Sequence, residues 1–198
     1  MQMRLSTEER QAEIVAAALR LMHESSPALV TTSDIAAAIG VTQGAVFKHF
    51  PTKDAIWLAA MNWVREALLD RLEAAAGAAA TPLEALAAMF RAHVDFVIAH
   101  PGVPRLIFHE LQQPADSAAK QEVRAVLQGY RKLLLDVLAQ AVRRGEVAAD
   151  LDREAAATAF VGLIQGLVMQ SMLTGRPGAM RQQADRVLAL YLRGLGRP

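Results

Sequence analysis

Cysteine is absent from this sequence. Without it there is no disulfide scaffold, no thiolate metal site and no cysteine nucleophile. Aromatic residues are scarce, at 5% of 198 residues, and so is net charge: 21 Lys and Arg against 20 Asp and Glu leave a formal +1. A polybasic coat for nucleic acid or acidic membrane is excluded by that balance, although a small basic site is not. No stretch of about 18 apolar residues is read as running without a charge, so no membrane span is expected. Residues 1–10 lack the apolar core of a secretion signal, and the cytoplasm is the expected compartment. Strand-like alternation of useful length is missing, as is any repeat of about 20–50 residues.

What the chain does have is alanine and apolar surface, the latter at 53%. That is too apolar for disorder. Alanine loses no side-chain entropy on entering a helix, so the composition favours an all-α fold.

The punctuation of the chain divides it into about nine helices. Ser6 and Glu9 form a capping-box pattern ahead of an apolar stripe of Ile14, Val15, Ala17, Ala18, Leu21 and Met22, and Ser25-Ser26-Pro27 ends that helix. A short helix from Thr31 to about Ile39, capped by Thr31 with Asp34, ends at Gly40, where a left-handed residue turns the chain. Thr42 caps a second short helix, Gln43 to about His49, and Pro51 stops it. Thr52 caps a long one, Lys53 to about Ala76. Thr81 and Pro82 open a fifth helix, broken by His100-Pro101-Gly102; a short segment runs from Pro104 to Gln113. Three long helices follow: Ser117 to Arg144, Asp152-capped to Thr174 with Gly175 as stop, and Pro177 to Arg193.

Two short helices joined by a turn of about three residues containing Gly form a helix-turn-helix pattern. The stretch from Thr31 to Ile56 goes further. It has a Thr-led helix with Ile35-Ala36, a Gly40-Val41 turn, the ending Phe47-Lys48-His49-Phe50, and a Thr52-Lys53 step into the next helix. In these elements, in order and spacing, it resembles the DNA-binding signature of TetR-family transcriptional regulators over about residues 10–56. The resemblance implies a three-helix helix-turn-helix DNA-binding head, residues 1–54, and a helical-bundle effector-binding and dimerisation domain, residues 55–198. It also implies a homodimer on double-stranded operator DNA, with repression relieved by a small-molecule effector. It implies neither an enzyme nor a cofactor.

The head is not basic overall, with five basic and six acidic side chains in residues 1–54. Yet from Val41 to Lys53 the only formal charges are Lys48 and Lys53. Residues at the start of a recognition helix meet base edges in the major groove. Here those are Thr42, Gln43 and Ala45: Gln43 can pair with adenine through two hydrogen bonds, and the Ala45 methyl can touch a thymine methyl. Gly44 permits close backbone approach, and Lys48 can reach a base or a phosphate. Lys53 is the expected phosphate contact; Thr31 caps and can offer its hydroxyl; His49 lies near the backbone. Many family members carry Tyr where this chain has Phe47, which retains only apolar contact.

In the body, Trp63, Met89, Phe90, His93, Phe96, Phe108, His109 and Leu111, with Met169 and Met172, are candidates to line a mostly apolar effector pocket. Such residues at helical spacing also suit plain core. His93 and His109 are the polar candidates, because they interrupt apolar stretches. The family dimer uses the last two long helices. Gly162 and Gly166 lie four apart on one of them, extended by Ala155, Ala159, Leu163, Leu188 and Leu192, and would let two helices approach closely.

The competing class is a helical-bundle enzyme or metal protein. No histidine has Glu three residues before it, as di-iron bundles require, and His109-Glu110 does not continue into a two-histidine zinc motif. His93, His100 and His109 are the only neighbours that could gather a metal. A ligand-independent DNA-binding activator is the other alternative.

Overall fold

The structure, a computed structural model, describes residues 5–175 and 177–196. Met1 to Arg4, and with them the first basic residue of the head, lie outside the described residues, as does Arg176. Nine helices and no strand occur among the described residues. They are α1 (Thr7–Glu24), α2 (Thr32–Ala38), α3 (Gln43–Phe47), α4 (Lys53–Gly77), α5 (Pro82–Ala99), α6 (Gly102–Gln112), α7 (Ala118–Arg143), α8 (Arg153–Thr174) and α9 (Pro177–Gly194).

The helix ends follow from local hydrogen bonding. At α1, Ser6 accepts from the Glu9 amide while the Glu9 carboxylate accepts from the Ser6 amide, a complete capping box. Thr31 and Asp34 repeat the device at α2. Thr42 accepts from the Ala45 amide, Thr52 from the Ala55 amide, and Asp152 from the amides of Glu154 and Ala155. Gly40 has φ +69°, the left-handed conformation that the α2–α3 turn requires.

One boundary departs from expectation. The His100-Pro101-Gly102 break is shorter than its composition suggests: Pro101 holds the N-cap position of α6 without a capping hydrogen bond, and Gly102 is already helical. The reason is tertiary. Gly102 is buried against α1, and a Cβ added there would sit 2.0 Å from the Leu19 carbonyl oxygen.

The chain forms two compact units, residues 1–65 with 100–125, and residues 66–99 with 126–198. In the first, α1 packs on α2 and α6, and α2 on α3. Its core contains Ile14, Ala18, Met22, Ile35, Val46, Ile56 and Met61. On α1 the buried stripe includes Leu19, while Leu21 is only half-buried. Glu110 is buried and accepts from the Ser117 hydroxyl at 2.6 Å, and Arg65 lies 3.1 Å from Glu122.

In the second unit, α5 packs on α8 and α9, and α8 on α9. Leu86, Phe90, Val94 and Val97 of α5 are all buried, as their helical spacing predicts. The helix α8 is uncharged from Ala155 to its end and, by length and composition, is apolar enough to cross a membrane. Thr158, Gln165 and Gln170 break its apolar run, and Ala156, Phe160, Ile164, Leu167 and Val168 are buried in the core.

Candidate functional site

The α2–α3 pair brings the sequence-nominated head residues onto neighbouring positions. The Thr31 hydroxyl is exposed; it donates to the Asp34 carboxylate at 2.7 Å while accepting the Asp34 amide. That carboxylate is held below its ordinary pKa, first by the Thr31 hydroxyl and then by the Thr31 amide. The Asp34 carboxylate is thus internally engaged. Thr42, Gln43, Gly44, Phe47 and Lys48 are all exposed, whereas Ala45 and His49 are half-buried. Phe47 is 43% exposed, unusual for a large aromatic side chain in a monomer. Val46 and Phe50 point the other way and join the core.

Two of these side chains are anchored. The Gln43 Nε2 donates to the Thr32 hydroxyl at 2.8 Å. The Lys53 ammonium donates to the Ala28 carbonyl at 3.0 Å and lies 5.2 Å from the centre of the Trp57 ring. Partial burial lowers the Lys53 pKa, opposed by the charges of Asp54 and Asp34. An ammonium has three donors, so two remain for a phosphate.

The body nominees do not form one set. Trp63, Phe108 and His109 belong to the first unit, where Trp63 meets His100 edge-on at 4.9 Å and the Gln113 amide donates to the His109 carbonyl at 3.3 Å. Leu111, also there, is about half exposed. In the second unit Met89, Phe90 and Phe96 are fully enclosed core. Met172 is half-buried, and Met169 is 44% exposed because it lies on the face of α8 away from Phe160 and Ile164.

His93 stands apart chemically. Its Nδ1 lies 3.2 Å from the Tyr130 hydroxyl, and desolvation pushes its pKa down to about 4, so the ring is neutral at pH 7. Around it is an aromatic cluster: Phe160 packs edge-to-face on Phe90 at 5.3 Å, on Tyr191 at 5.4 Å and on Tyr130 at 6.1 Å. The Tyr191 hydroxyl donates to the Ala156 carbonyl at 3.0 Å. Tyr130, Phe160 and Tyr191 were not nominated from the sequence. The available signal was that a buried Tyr needs a polar partner, and His93 is a candidate in an otherwise apolar stripe.

Among the described residues no three His, Asp or Glu side chains are grouped to hold a metal. A cleft of about 400 Å³ opens between α8 and α9, lined by Leu167, Gln170, Ser171, Thr174, Ala179, Met180 and Gln183. None of the nominated effector residues lines it.

The nominated dimer residues also separate. Ala155, Ala159, Gly162 and Gly166 are exposed, Leu163 and Leu192 half-buried, and Leu188 is enclosed within the unit at 2% exposure. Leu188 fills core because it faces inward, on the side of α9 that also carries buried Ala184 and Tyr191. A Cβ added at Gly162 or Gly166 would meet nothing within 4 Å. Nothing within the described chain therefore needs glycine at either position.

Comparison with known proteins agrees with this architecture. Residues 14–60 match the model of bacterial regulatory proteins of the tetR family, and residues 110–187 match that of the tetracyclin repressor-like C-terminal domain. The chain is 30% identical over 173 residues to the HTH-type transcriptional regulator TtgR of Pseudomonas putida, covering 84% of this chain and 81% of that one. It is 23% identical over 183 residues to the fatty acid metabolism regulator protein of Bacillus subtilis, covering 92% and 94%. Among solved structures, the fatty acid degradation regulator FadR of Bacillus halodurans superposes with a TM-score of 0.83 at 20% identity over 100% of both chains. FadR of Bacillus subtilis, in complex with stearoyl-CoA, superposes with 0.80 at 23% identity over 92% of this chain and 98% of that one. With a helix-turn-helix head, an all-helical body and relatives that regulate transcription, this chain belongs to the tetR family of DNA-binding transcriptional regulators.

Proposed function

We propose that the protein is a cytoplasmic repressor without enzymatic activity. It acts as a homodimer whose heads, residues 1–54, hold operator DNA and whose bodies, residues 55–198, bind a mostly apolar small molecule that releases it. The observation that carries this reading is the exposed, acid-free recognition segment. From Val41 to Thr52 no acidic side chain occurs, and Thr42, Gln43, Gly44, Phe47 and Lys48 are open to solvent. Gln43 reads adenine through its amide and Ala45 a thymine methyl, while Gly44 lets the backbone close in. Thr42 caps α3 beside these base edges, Thr31, Lys48, His49 and Lys53 hold phosphates and set register, and Phe47 contributes apolar contact.

Dimerisation uses the open face of α8, Ala155, Ala159, Gly162 and Gly166, with Leu163 and the α9 residue Leu192. Exposure at Met169 and Leu173 supports the same face, since obligate interfaces are apolar. For the effector, His93 beside Tyr130 provides a polar anchor among aromatic rings. The stearoyl-CoA in the B. subtilis FadR structure supports a ligand with a long apolar part. Operator binds the state whose recognition helices sit about one DNA turn (~34–36 Å) apart, and effector favours another spacing. The coupling equals the effector's differential affinity for the two states and is reciprocal. The helix α4 runs unbroken from Lys53 to Gly77 and supplies residues to both units, which suits it as the link.

The test starts from an operator selected out of random double-stranded DNA. Band-shift titration with fatty acids, acyl-CoAs and neutral aromatic compounds should release the protein from it. Failure to enrich any sequence, or release only by highly charged small ions, would overturn the reading. Gln43→Ala should weaken operator binding more than binding to scrambled DNA; equal losses would reduce Gln43 to a positioning residue.

A further inference from the structure

Thr32 stands immediately after the α2 cap, and at 8% exposure it is one of two buried polar residues among the described residues. Its hydroxyl sits 2.8 Å from the Gln43 Nε2, linking the first turn of α2 to the first residue of α3 across eleven positions of sequence. No other hydrogen bond to the Gln43 amide occurs among the described residues. We propose that Thr32 is a specificity-determining positioning residue: it never needs to touch DNA, and it holds the Gln43 amide ready for the base edge that Gln43 reads. The inference rests on the base-reading role proposed above for Gln43.

A glutamine has three side-chain torsions, and on an exposed helix start it samples many rotamers, which must be frozen when a base is bound. A side chain already tied at one amide hydrogen loses less freedom at that moment, so more of the base contact survives as affinity. The tie does not consume the pairing capacity. The primary amide has two donor hydrogens and an acceptor oxygen, so one hydrogen and the oxygen remain. Adenine presents N7 as acceptor and the N6 amino group as donor in the major groove, which that remaining pair matches. Thr32 is also suited to the task because burial and its β-branch limit its own rotamers, giving a fixed anchor on α2. Two neighbouring groups are otherwise engaged: Thr31 with Asp34, and Thr42 with the Ala45 amide.

The experiment compares wild type, Thr32→Val, Thr32→Ser, Gln43→Ala and the Thr32→Val/Gln43→Ala double variant. Each is titrated against the operator selected by wild type and against scrambled DNA of equal length. Valine replaces the hydroxyl by a methyl of similar size, so packing is kept. We expect Thr32→Val to lose about three- to tenfold in operator affinity, the scale of one hydrogen bond, with scrambled DNA changed less than twofold. Thr32→Ser should restore wild-type discrimination, and the double variant should be no weaker than Gln43→Ala alone. The side-chain amide NMR signals of Gln43 in the free protein should shift in Thr32→Val and not in Thr32→Ser, a readout that stands even if a variant binds DNA poorly. If Gln43→Ala leaves discrimination unchanged, the base-reading role itself fails. If Gln43→Ala lowers discrimination while Thr32→Val does not, or Thr32→Val weakens both DNAs alike or adds in full to Gln43→Ala, the positioning role is overturned and the base-reading role stands.

Discussion

Replacing Gly102 by alanine sets two opposed effects against each other, and their magnitudes decide the sign. Gly102 is the first residue of α6 and is buried against α1. An added Cβ would lie 2.0 Å from the Leu19 carbonyl oxygen, 3.0 Å from the Leu19 carbonyl carbon and 3.2 Å from the Met22 Cβ. The nearest two atoms are helix backbone, so no side-chain rotation relieves the clash, and α6 must move away from α1 by more than an ångström. Overpacking of this kind costs about 1–3 kcal/mol, and a backbone obstacle places it at the upper end. Against it, alanine restricts the unfolded chain, which by itself stabilises by roughly 0.4–1 kcal/mol. The expected net is a loss of about 2 kcal/mol. For a chain of this length that lowers the melting temperature by roughly 4–8 °C. Urea unfolding and thermal melts at one fixed protein concentration measure it, since the proposed dimerisation would make stability concentration-dependent. Gly178→Ala is the control: it is helical and its added Cβ meets nothing within 4 Å, so it should be neutral or stabilising. A Gly102→Ala protein as stable as wild type, or more so, would refute the close approach of α6 to α1.

Three further outcomes are expected. The His93 pKa in the folded protein is about 4 against 6.5 unfolded, so between those values the unfolded state binds the extra proton. The stability due to a neutral His93 is complete above pH 6.5 and is lost as pH falls from 6.5 towards 4, by at most about 3 kcal/mol; the stability of wild type relative to His93→Phe should therefore fall between pH 7 and pH 4.5. Parallel pH profiles would show that His93 does not titrate as buried. Gly162→Arg should convert the dimer to monomers in sedimentation equilibrium and abolish operator binding, with helical content kept; a surviving dimer would move the interface elsewhere. Lys53→Ala should weaken operator and scrambled DNA about equally and reduce the salt slope by about 1 per protomer, and a loss confined to the operator would make it a base reader instead.

The helix boundaries and the head were legible because their determinants are local. Ser6 with Glu9, Thr31 with Asp34, Thr42 with the Ala45 amide, and Asp152 with the amides of Glu154 and Ala155 each act within three residues. Gly40 and Gly175 adopt the left-handed conformation, at φ +69° and +66°, for reasons equally local. The body was legible only as a class of residue. Apolar spacing shows that Phe90 and Met169 both lie on helices, yet it does not say that the first is sealed in the core and the second 44% exposed. Leu188 and Leu192 differ in the same way, because a stripe one turn wide contains both inward and outward edges.

The sequence by itself determined the all-helical class, the order and ends of most helices, and the place of the helix-turn-helix in the chain. Caps, turns and motif spacing depend on residues a few positions apart, which the chain order already brings together. Tertiary structure alone decided what meets across distance: Gln43 with Thr32, Lys53 with Ala28, Gly102 with Leu19, and His93 with Tyr130 in a ring of aromatics. Those pairings depend on how helix faces pack, and packing is set by shape and burial summed over many residues, a quantity that no short window of sequence contains.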